Sequence, residues 1–300
     1  MFGFINGKKQ VMKKTNNIFN NTQKGLIVVL GAGESGVGAA ILAQKQGFEV
    51  FVSDCGMVQE RYAKVLADNN INWEEGKHSE EIILTANEVV KSPGISDKVS
   101  IVKKIKAKEI EIISEIEFAS RYTNAFIIAI TGSNGKTTVT SMIYELLKKD
   151  GKNVGLGGNI GSGFALQVAN ENYDYYVIEI SSFQLDNITA FKPNIAVLMN
   201  ITPDHLDRYD YKFENYINSK FLITKNQTAE DLFIYCEDDE ATVAYLKNNK
   251  IKAEQVAFSI KEKVAEGAFL SQIENSSNSN DLEINIKLKN NKTFDMPVHK

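Results

Sequence analysis

The chain has 300 residues, of which 43% are hydrophobic and 24% are charged, and its formal net charge is −4. These values are typical of a folded, water-soluble protein of about two domains, and the slight acidity gives no reason to expect a nucleic-acid partner. Two cysteines, Cys55 and Cys236, exclude a disulfide framework and favour a reducing, cytoplasmic location. No apolar run approaches the roughly 18 residues needed to span a bilayer, so membrane insertion is not expected.

The first 24 residues differ from the rest of the chain. They contain five lysines and several asparagines but no acidic residue and no continuous apolar segment, so a signal peptide is not expected. We predict a disordered basic extension over residues 1–24, or an upstream start codon with Met12 as the true start.

A glycine-rich turn follows the first predicted strand. The apolar run at residues 26–30 leads into Gly31-Ala-Gly-Glu-Ser-Gly36, a helical pattern follows at 37–46, and a second strand at 48–53 ends at Asp54. This order is the Rossmann fingerprint, in which a nucleotide diphosphate lies on the helix N-terminus and the acid accepts hydrogen bonds from a ribose or a base. The motif does not identify the nucleotide, and a tight turn without a ligand is the alternative.

Alternating helix and strand patterns continue to residue 121 and predict a parallel sheet. The predicted elements are a helical face at 62–66, strands at 88–90 and 110–113, and a short helix at 115–121. Ser92-Pro-Gly94 is typical of a loop, and we interpret it as structural. We place a domain boundary near Tyr122.

The rest of the chain is organised around a second glycine-rich turn. An apolar strand at 125–130 precedes Thr131-Gly-Ser-Asn-Gly-Lys-Thr-Thr138, and a helical pattern follows at 139–147. Strand, turn and helix N-terminus form an anion-binding site, where Lys136 can contact the β- and γ-phosphates and Thr137 can offer its hydroxyl to Mg²⁺. The spacing is a shorter form of the usual nucleotide loop. We predict an ATP site, and a glycine turn closing an ordinary βα unit is the alternative.

Three further polar features lie at the ends of predicted strands. Gly157-Gly-Asn-Ile-Gly161 is predicted to be a loop, because it is too rich in glycine for the interior of a helix or strand. Glu179 is an acid within the apolar strand at 175–182, and such a carboxylate either binds Mg²⁺ or forms a structural ion pair. His205 follows the strand at 195–201 at the same edge of the predicted sheet, and only this position makes it a candidate.

The last third of the chain predicts mixed helix and strand. Lys220 lies in a helical stretch at 213–224, and its pattern indicates a solvated surface lysine. Further predictions are a strand at 231–236, a helix at 239–247 and an antiparallel hairpin that includes the alternating residues 282–288. The predicted fold class is α/β, with a Rossmann-like N-terminal domain at 25–122 and a P-loop NTPase-type parallel-sheet central domain at 123–300.

Four motifs have the order and spacing of those in the Mur ligases, the ATP-dependent amino-acid ligases of bacterial peptidoglycan precursor synthesis. They are Thr131-Gly-Ser-Asn-Gly-Lys-Thr-Thr138, Gly157-Gly-Asn-Ile-Gly161, Glu179-Ile-Ser-Ser-Phe-Gln-Leu185 and Asp204-His-Leu-Asp-Arg-Tyr209. The third motif and the turn at 31–36 most resemble the D-glutamate-adding member of the family. The resemblance extends from Leu26 to the last residue.

The resemblance implies an ATP site with two Mg²⁺ ions in the second domain. The implied ATP-binding residues are Gly132, Asn134, Gly135, Lys136, Thr137 and Thr138. Thr137 and Glu179 would hold one Mg²⁺, while His205 would lie near the second. Lys220 matches a family lysine that CO₂ converts into a carbamate, which would support the second ion. The implied catalytic residues are Lys136, Glu179, His205 and Lys220.

The resemblance also implies the partners UDP-N-acetylmuramoyl-L-alanine, D-glutamate and ATP, and we expect a monomer. The UDP part would lie on the first domain, with Glu34 and Ser35 near the diphosphate, Asp54 at the uracil, and Ser92 and Gly94 along the cleft. Asn159 and His205 would contact the muramoyl part.

The implied reaction has two steps. Transfer of the ATP γ-phosphoryl group to the alanyl carboxylate would give an acyl phosphate, and the amine of D-glutamate would then displace phosphate. Family members carry a third, C-terminal domain that binds the amino acid, and the resemblance ends before it. We therefore expect a fragment without the D-glutamate pocket. The alternatives are a catalytically inactive nucleotide-binding remnant and an NAD-dependent oxidoreductase, which would leave Lys136 and Glu179 unexplained.

Overall fold

A computed structural model describes residues 24–272, 282–287 and 293–298 of the chain. The predicted basic extension lies outside these residues except for Lys24. In the part of the chain that the structure describes, no helix is both long enough and apolar enough to cross a membrane.

The first sheet has five parallel strands within the described residues, in the order β3-β2-β1-β4-β5. The strands are β1 (Leu26–Leu30), β2 (Glu49–Ser53), β3 (Asn72–Glu74), β4 (Glu88–Lys91) and β5 (Glu111–Ile113). The helices are α1 (Glu34–Lys45), α2 (Glu60–Asp68), α3 (Glu80–Ile83), α4 (Ser100–Ala107) and α5 (Glu115–Ser120). Ile27 and Val28 of the central strand β1 face opposite sides and are both buried, which explains the unbroken apolar run.

The second sheet has nine strands within the described residues, in the order β14-β13-β12-β11-β10-β9-β6-β8-β7. Its strands are β6 (Phe126–Thr131), β7 (Val154–Gly158), β8 (Tyr175–Glu179), β9 (Ile195–Leu198), β10 (Leu232–Cys236), β11 (Glu254–Ser259), β12 (Gly267–Gln272), β13 (Leu282–Lys287) and β14 (Thr293–Val298). Strands β6 to β12 pair in parallel, and β12, β13 and β14 pair antiparallel, which confirms the predicted hairpin.

Helices cover this second sheet and connect its strands. They are α6 (Lys136–Lys149), α7 (Phe164–Asn170), α8 (Ser182–Leu185), α9 (Phe213–Phe221) and α10 (Glu240–Asn248), with 3₁₀ turns at Leu206–Tyr209 and Leu222–Thr224. The first glycine-rich turn follows β1, which lies between β2 and β4, and the second follows β6, which lies between β8 and β9. In each sheet the chain first adds strands on one side of this strand and then adds strands on its other side. Such switch points form the ligand crevices of open parallel sheets. The predicted α/β fold class is confirmed.

The glycine-rich segment at 157–161 departs from its prediction. We expected a loop throughout, but Gly157 and Gly158 belong to strand β7. A Cβ atom on Gly157 would come within 2.7 Å of the Gln167 side chain, and one on Gly158 would collide with the carbonyl oxygen of Glu179. Glycine is needed here because β7 packs very closely on its neighbours, so the prediction of a loop was wrong for these two residues.

Helix α1, which covers the first sheet, packs against helix α7, which covers the second. One apolar cluster includes residues of both helices. Two carboxylates reinforce this contact. Glu34 accepts a hydrogen bond from the backbone N–H of Gly163 at 3.1 Å, and Glu115 accepts one from Ala165 at 2.5 Å. Burial raises the pKa of Glu115 to about 7. The boundary near Tyr122 falls between the two sheets, and the exact division into domains stays a prediction.

Candidate active site

The turn after β6 has the backbone of a phosphate-binding loop. Gly132 and Gly135 have φ angles of 150° and 82°, which favour glycine, and a Cβ atom on Gly132 would lie 2.9 Å from that of Met199. Helix α6 begins directly after the turn, at Lys136. The Nζ atom of Lys136 donates to the carbonyl oxygens of Gly132 at 2.9 Å and Ser133 at 3.0 Å. The predicted lysine therefore lies across the mouth of the turn.

Glu179 lies beside this turn because its strand β8 pairs with β6, which places Glu179 opposite Ile130. Its side chain is only 2% exposed. One carboxylate oxygen accepts from the Thr137 hydroxyl at 2.7 Å, and the other accepts from the Asn159 amide at 2.8 Å. Within the described residues no cationic side chain forms a salt bridge with Glu179, so the structural ion pair finds no support.

Lys220 is buried, and the prediction of a solvated surface lysine was wrong. Its side chain is 2% exposed, and its Nζ atom donates to the Gly132 carbonyl oxygen at 2.9 Å and lies 4.7 Å from the centre of the Tyr216 ring. Burial, and then the nearby charge of Lys136, lower the pKa of Lys220 to about 7. A sequence signal was present, since Phe213, Tyr216 and Lys220 recur at helical spacing along one face of α9.

His205 precedes the 3₁₀ turn at Leu206–Tyr209 and has a left-handed backbone, with φ of 49°. Its side chain is 55% exposed, its Nε2 atom lies 3.5 Å from a carboxylate oxygen of Asp204, and its ring lies 5.2 Å from that of Phe183. These contacts leave the imidazole accessible at the edge of the site.

One cavity of about 310 Å³ brings several of the predicted residues together. Those that line it are Gly94, Lys136, Asn159, His205 and Lys220. Gly94 comes from the loop after β4 in the first sheet, and the other four come from the second. The loop predicted to be structural is therefore one wall of the candidate site.

The remaining predicted residues surround the first glycine-rich turn. Asp54 accepts hydrogen bonds from the backbone N–H groups of Ala32 at 2.7 Å and Gly56 at 2.8 Å, so it holds the turn in place. Ser35 lies in the first turn of α1, and the Ser92 side chain packs under Gly31. None of these residues lines the 310 Å³ cavity.

The second sheet and its glycine-rich turn define a P-loop type α/β protein, and the first sheet with its own turn forms a Rossmann-like unit that precedes it in the chain. Residues 130–299 match the family model of the Mur ligase middle domain, and residues 25–114 match that of the Mur ligase MurD-like N-terminal domain. The first match alone covers more than half of the chain. The chain belongs to the Mur ligase family, as its motifs predicted.

Curated relatives are similar over most of this chain. A UDP-N-acetylmuramoylalanine–D-glutamate ligase of Christiangramia forsetii is 54% identical over 244 residues, which are 81% of this chain and 55% of that protein. The protein of the same name from Bacteroides fragilis is 59% identical over 237 residues, which are 79% of this chain and 53% of that protein. The chain thus spans about half the length of the curated relatives it matches.

Solved structures show the same fold at low identity. A UDP-N-acetylmuramate:L-alanyl-gamma-D-glutamyl-meso-diaminopimelate ligase from Neisseria meningitides has a TM-score of 0.59 and 19% identity, over 90% of this chain and 85% of that one. A UDP-N-acetylmuramate-alanine ligase from Thermotoga maritima has a TM-score of 0.52 and 21% identity, over 91% of this chain and 60% of that one. The two-sheet architecture is therefore that of Mur ligases.

Proposed function

We propose that this chain acts in the ATP-dependent joining of D-glutamate to UDP-N-acetylmuramoyl-L-alanine, a step in the synthesis of peptidoglycan precursors. The names of the relatives support the substrates. The observation that carries the proposal is the buried Glu179 carboxylate, which accepts hydrogen bonds from Asn159 and from Thr137, the residue that follows Lys136. A catalytically inactive nucleotide-binding protein remains an outcome of the test below.

The groups around Glu179 fit a Mg²⁺ ion. A buried carboxylate and a hydroxyl are hard oxygen donors of the kind that Mg²⁺ prefers, and they meet at the N-terminal end of α6. Mg²⁺ bound there would neutralise charge on the ATP phosphates. Thr137 and Glu179 would hold the ion, and Lys136 would exchange its two carbonyl contacts for phosphate oxygens. Further contacts are proposed from Gly132, Asn134, Gly135 and Thr138.

One wall of the 310 Å³ cavity can bind the acceptor substrate. We assign the UDP part to the first glycine-rich turn, with Glu34, Ser35, Asp54, Ser92 and Gly94 as its proposed contacts. Asp54 supports this role indirectly, because it orders the backbone at 31–36 against which a diphosphate would lie. We assign the muramoyl and alanyl parts to Asn159 and His205, which face the cavity from the second sheet.

We propose that Lys220 reacts with CO₂, a role that its burial and its lowered pKa support. With its pKa near 7, about half of the amine is neutral at neutral pH and can act as a nucleophile. The amine nitrogen forms a bond to the carbon of CO₂ and loses a proton, which gives a carbamate with one negative charge. That product would remove the repulsion between Lys220 and Lys136 and would offer oxygen atoms to a second Mg²⁺ near His205.

Catalysis then depends on orientation as much as on charge. The carboxylate of the alanyl group must meet the γ-phosphorus of ATP in line, and the wall formed by Gly94 and His205 would hold it there. The amine of D-glutamate would displace phosphate from the resulting acyl phosphate. We further propose that the protein works as a cytoplasmic monomer, with the domains at 25–122 and 123–300.

Phosphate release tests the proposed function. Protein expressed from its own gene is incubated with ATP, Mg²⁺ and UDP-N-acetylmuramoyl-L-alanine, with and without D-glutamate. Release that requires both the UDP-linked substrate and D-glutamate, and that Glu179→Gln lowers at least 100-fold, supports the proposal. ATP binding without any such release would indicate the inactive nucleotide-binding protein. A ¹³C-bicarbonate carbamate signal that Lys220→Met abolishes would support the modified lysine.

A further inference from the structure

One guanidinium group joins the two sheets at the candidate site. Arg208 lies in the 3₁₀ turn that follows β9, and its terminal nitrogens donate to three carbonyl oxygens in the loop after β4: Pro93 at 3.2 Å, Gly94 at 3.4 Å and Ile95 at 3.4 Å. The bond to Pro93 is at the long end of the usual range of about 2.7–3.2 Å and the other two are slightly longer, but the planar guanidinium directs donors toward all three oxygens. Carbonyl oxygens can only accept hydrogen bonds, so three that converge in one loop offer a site that suits a donor such as this guanidinium.

The side chains around the Arg208 guanidinium form a packed network. The Arg208 guanidinium lies 4.4 Å from the centre of the Phe183 ring, which also contacts the rings of Tyr209 at 5.9 Å in a stacked arrangement and of His205 at 5.2 Å. The Tyr209 hydroxyl is bonded to Asp186 at 3.0 Å and to Ser219 at 3.1 Å. Arg208 therefore starts from a packed aromatic and polar network, and not from a free surface.

The backbone around Arg208 is also strained. His205, Asp210 and Tyr211 all have left-handed φ angles, between 49° and 57°, although none of them is glycine. Residues in this conformation persist where surrounding contacts determine them, and such strain often accompanies functional sites. The turn thus places His205 in the cavity and Arg208 under the loop in one constrained unit.

The loop itself is a wall of the cavity. Its β-turn closes with a hydrogen bond from Ile95 N–H to the Ser92 carbonyl oxygen at 3.1 Å, and Pro93 and Gly94 line the 310 Å³ cavity. The Ile95 carbonyl also accepts from the buried Lys91 ammonium at 2.8 Å. Lys91 fixes the loop to its own sheet, whereas Arg208 fixes it to the sheet that carries the phosphate loop.

We propose that Arg208 is a positioning residue, which holds the loop at 92–95 against the phosphate-loop sheet and so sets the affinity for the UDP-linked substrate. This role rests on the proposed function, because it names how one wall of that site is placed. Arg208 itself does not line the 310 Å³ cavity, and its effect passes through the loop carbonyls. It should therefore change substrate binding much more than ATP binding.

A matched pair of variants tests the proposal. Arg208→Met keeps an unbranched aliphatic side chain and removes the guanidinium, with its bonds to the three carbonyls and its contact with the Phe183 ring. Lys98→Met is the control, since Lys98 links the same two segments through an exposed ion pair with Asp210 at 2.9 Å. Surface pairs of this kind contribute little. Arg208→Lys is the conservative variant, which keeps the charge but can reach fewer of the three carbonyls at once.

Two measurements are made on the full chain: amide hydrogen exchange of the peptide at 92–99, and calorimetric titration with UDP-N-acetylmuramoyl-L-alanine and with ATP. We expect Arg208→Met to speed exchange in that peptide at least tenfold and to weaken the UDP-linked ligand at least tenfold, with ATP affinity changed less than twofold. Arg208→Lys should fall between parent and Arg208→Met, and Lys98→Met should match the parent within twofold.

The other outcomes separate the possible failures. Unchanged exchange at 92–99 in Arg208→Met would overturn the contact between loop and guanidinium, whatever the ligands do. Faster exchange with unchanged affinity for the UDP-linked ligand, or an equal loss of both ligands, would overturn the positioning role. A parent chain that binds ATP but not the UDP-linked ligand would overturn the proposed substrate and, with it, the positioning role, while the exchange result would still decide the contact.

Discussion

The burial of Lys220 predicts an unusual dependence of stability on pH, which replacement by methionine would reveal. The pKa of this lysine falls from its ordinary 10.5 to about 7, first because burial disfavours the charged form and then because Lys136 is near. Between these two values the unfolded chain holds a proton that the folded chain has released, so the free energy of unfolding rises with pH across the interval. Below pH 7 both states are protonated, and the folded chain bears the full cost of a buried ammonium group.

The size of this cost follows from the two pKa values. A difference of about 3.5 pKa units at about 1.4 kcal/mol each corresponds to roughly 5 kcal/mol. Lys220→Met removes this cost, keeps an apolar chain against the Tyr216 ring, and leaves the Gly132 carbonyl its bond from Lys136. The lost hydrogen bond costs about 1 kcal/mol. The variant should therefore be about 4 kcal/mol more stable than the parent at pH 6, and the advantage should vanish near pH 10.

Urea unfolding followed by circular dichroism, at pH values from 6 to 10 in buffers depleted of CO₂, measures this difference. Lys225→Met is a suitable control, because Lys225 lies on the next turn of the same segment but is exposed. Its ammonium donates one hydrogen bond to the Ile188 carbonyl oxygen at 3.0 Å, so its loss should cost about 1 kcal/mol, nearly independent of pH from 6 to 9. If the stability difference between Lys220→Met and the parent stays constant over this range, or grows with pH, the assignment of a depressed pKa to Lys220 is wrong.

Two further predictions concern the binding sites and the contact between the sheets. Lys136→Ala should lower the affinity for ATP at least tenfold and leave the affinity for UDP-N-acetylmuramoyl-L-alanine unaffected, while Asp54→Ala should do the reverse. The reason is that the two glycine-rich turns belong to different sheets. Equal loss of affinity for both ligands in calorimetry would contradict this prediction. Glu115→Gln should raise the free energy of unfolding by about 3 kcal/mol at pH 8 and by little at pH 4. The reason is the pKa of about 7, which makes the folded chain bind a proton more tightly than the unfolded chain between pH 4.5 and 7. Urea unfolding at the two pH values measures the difference, and equal effects at both would refute the prediction.

The phosphate loop and its acid could be predicted from the sequence because they depend on local chemistry and on strand order. Gly132 and Gly135 supply left-handed backbone, and Lys136 begins the helix that follows. Glu179 ends a strand, and the carboxyl ends of parallel strands meet at one edge of a sheet. The pairing of Ile130 with Glu179 is what brings that acid to the turn.

Other features could not be predicted in this way because they depend on tertiary packing. The spacing of Phe213 and Tyr216 indicates the inward face of α9, but only the packing shows that the Lys220 amine is enclosed there, and the strand conformation of Gly157 requires knowing how close β8 and Gln167 lie. The contacts of Arg208 and Glu115 join two separate sheets, and no local pattern encodes them. Motif spacing indicates which residues share an edge, but not which of them share a cavity.

The positive charges at the candidate site explain why a phosphate group bound at Lys136 and a carbamate on Lys220 should favour one another. Lys136 and Lys220 both donate to the single carbonyl oxygen of Gly132, so two positive charges converge on one neutral acceptor. Glu179 bonds to Thr137 and Asn159 and to neither lysine, and the charges of Asp204 and Asp186 offset the repulsion only in part. A phosphate group drawn to Lys136 would relieve this repulsion from one side, and a carbamate on Lys220 would relieve it from the other. Because Lys136 itself helps to depress the pKa of Lys220, occupation of the phosphate loop and the state of Lys220 must be coupled.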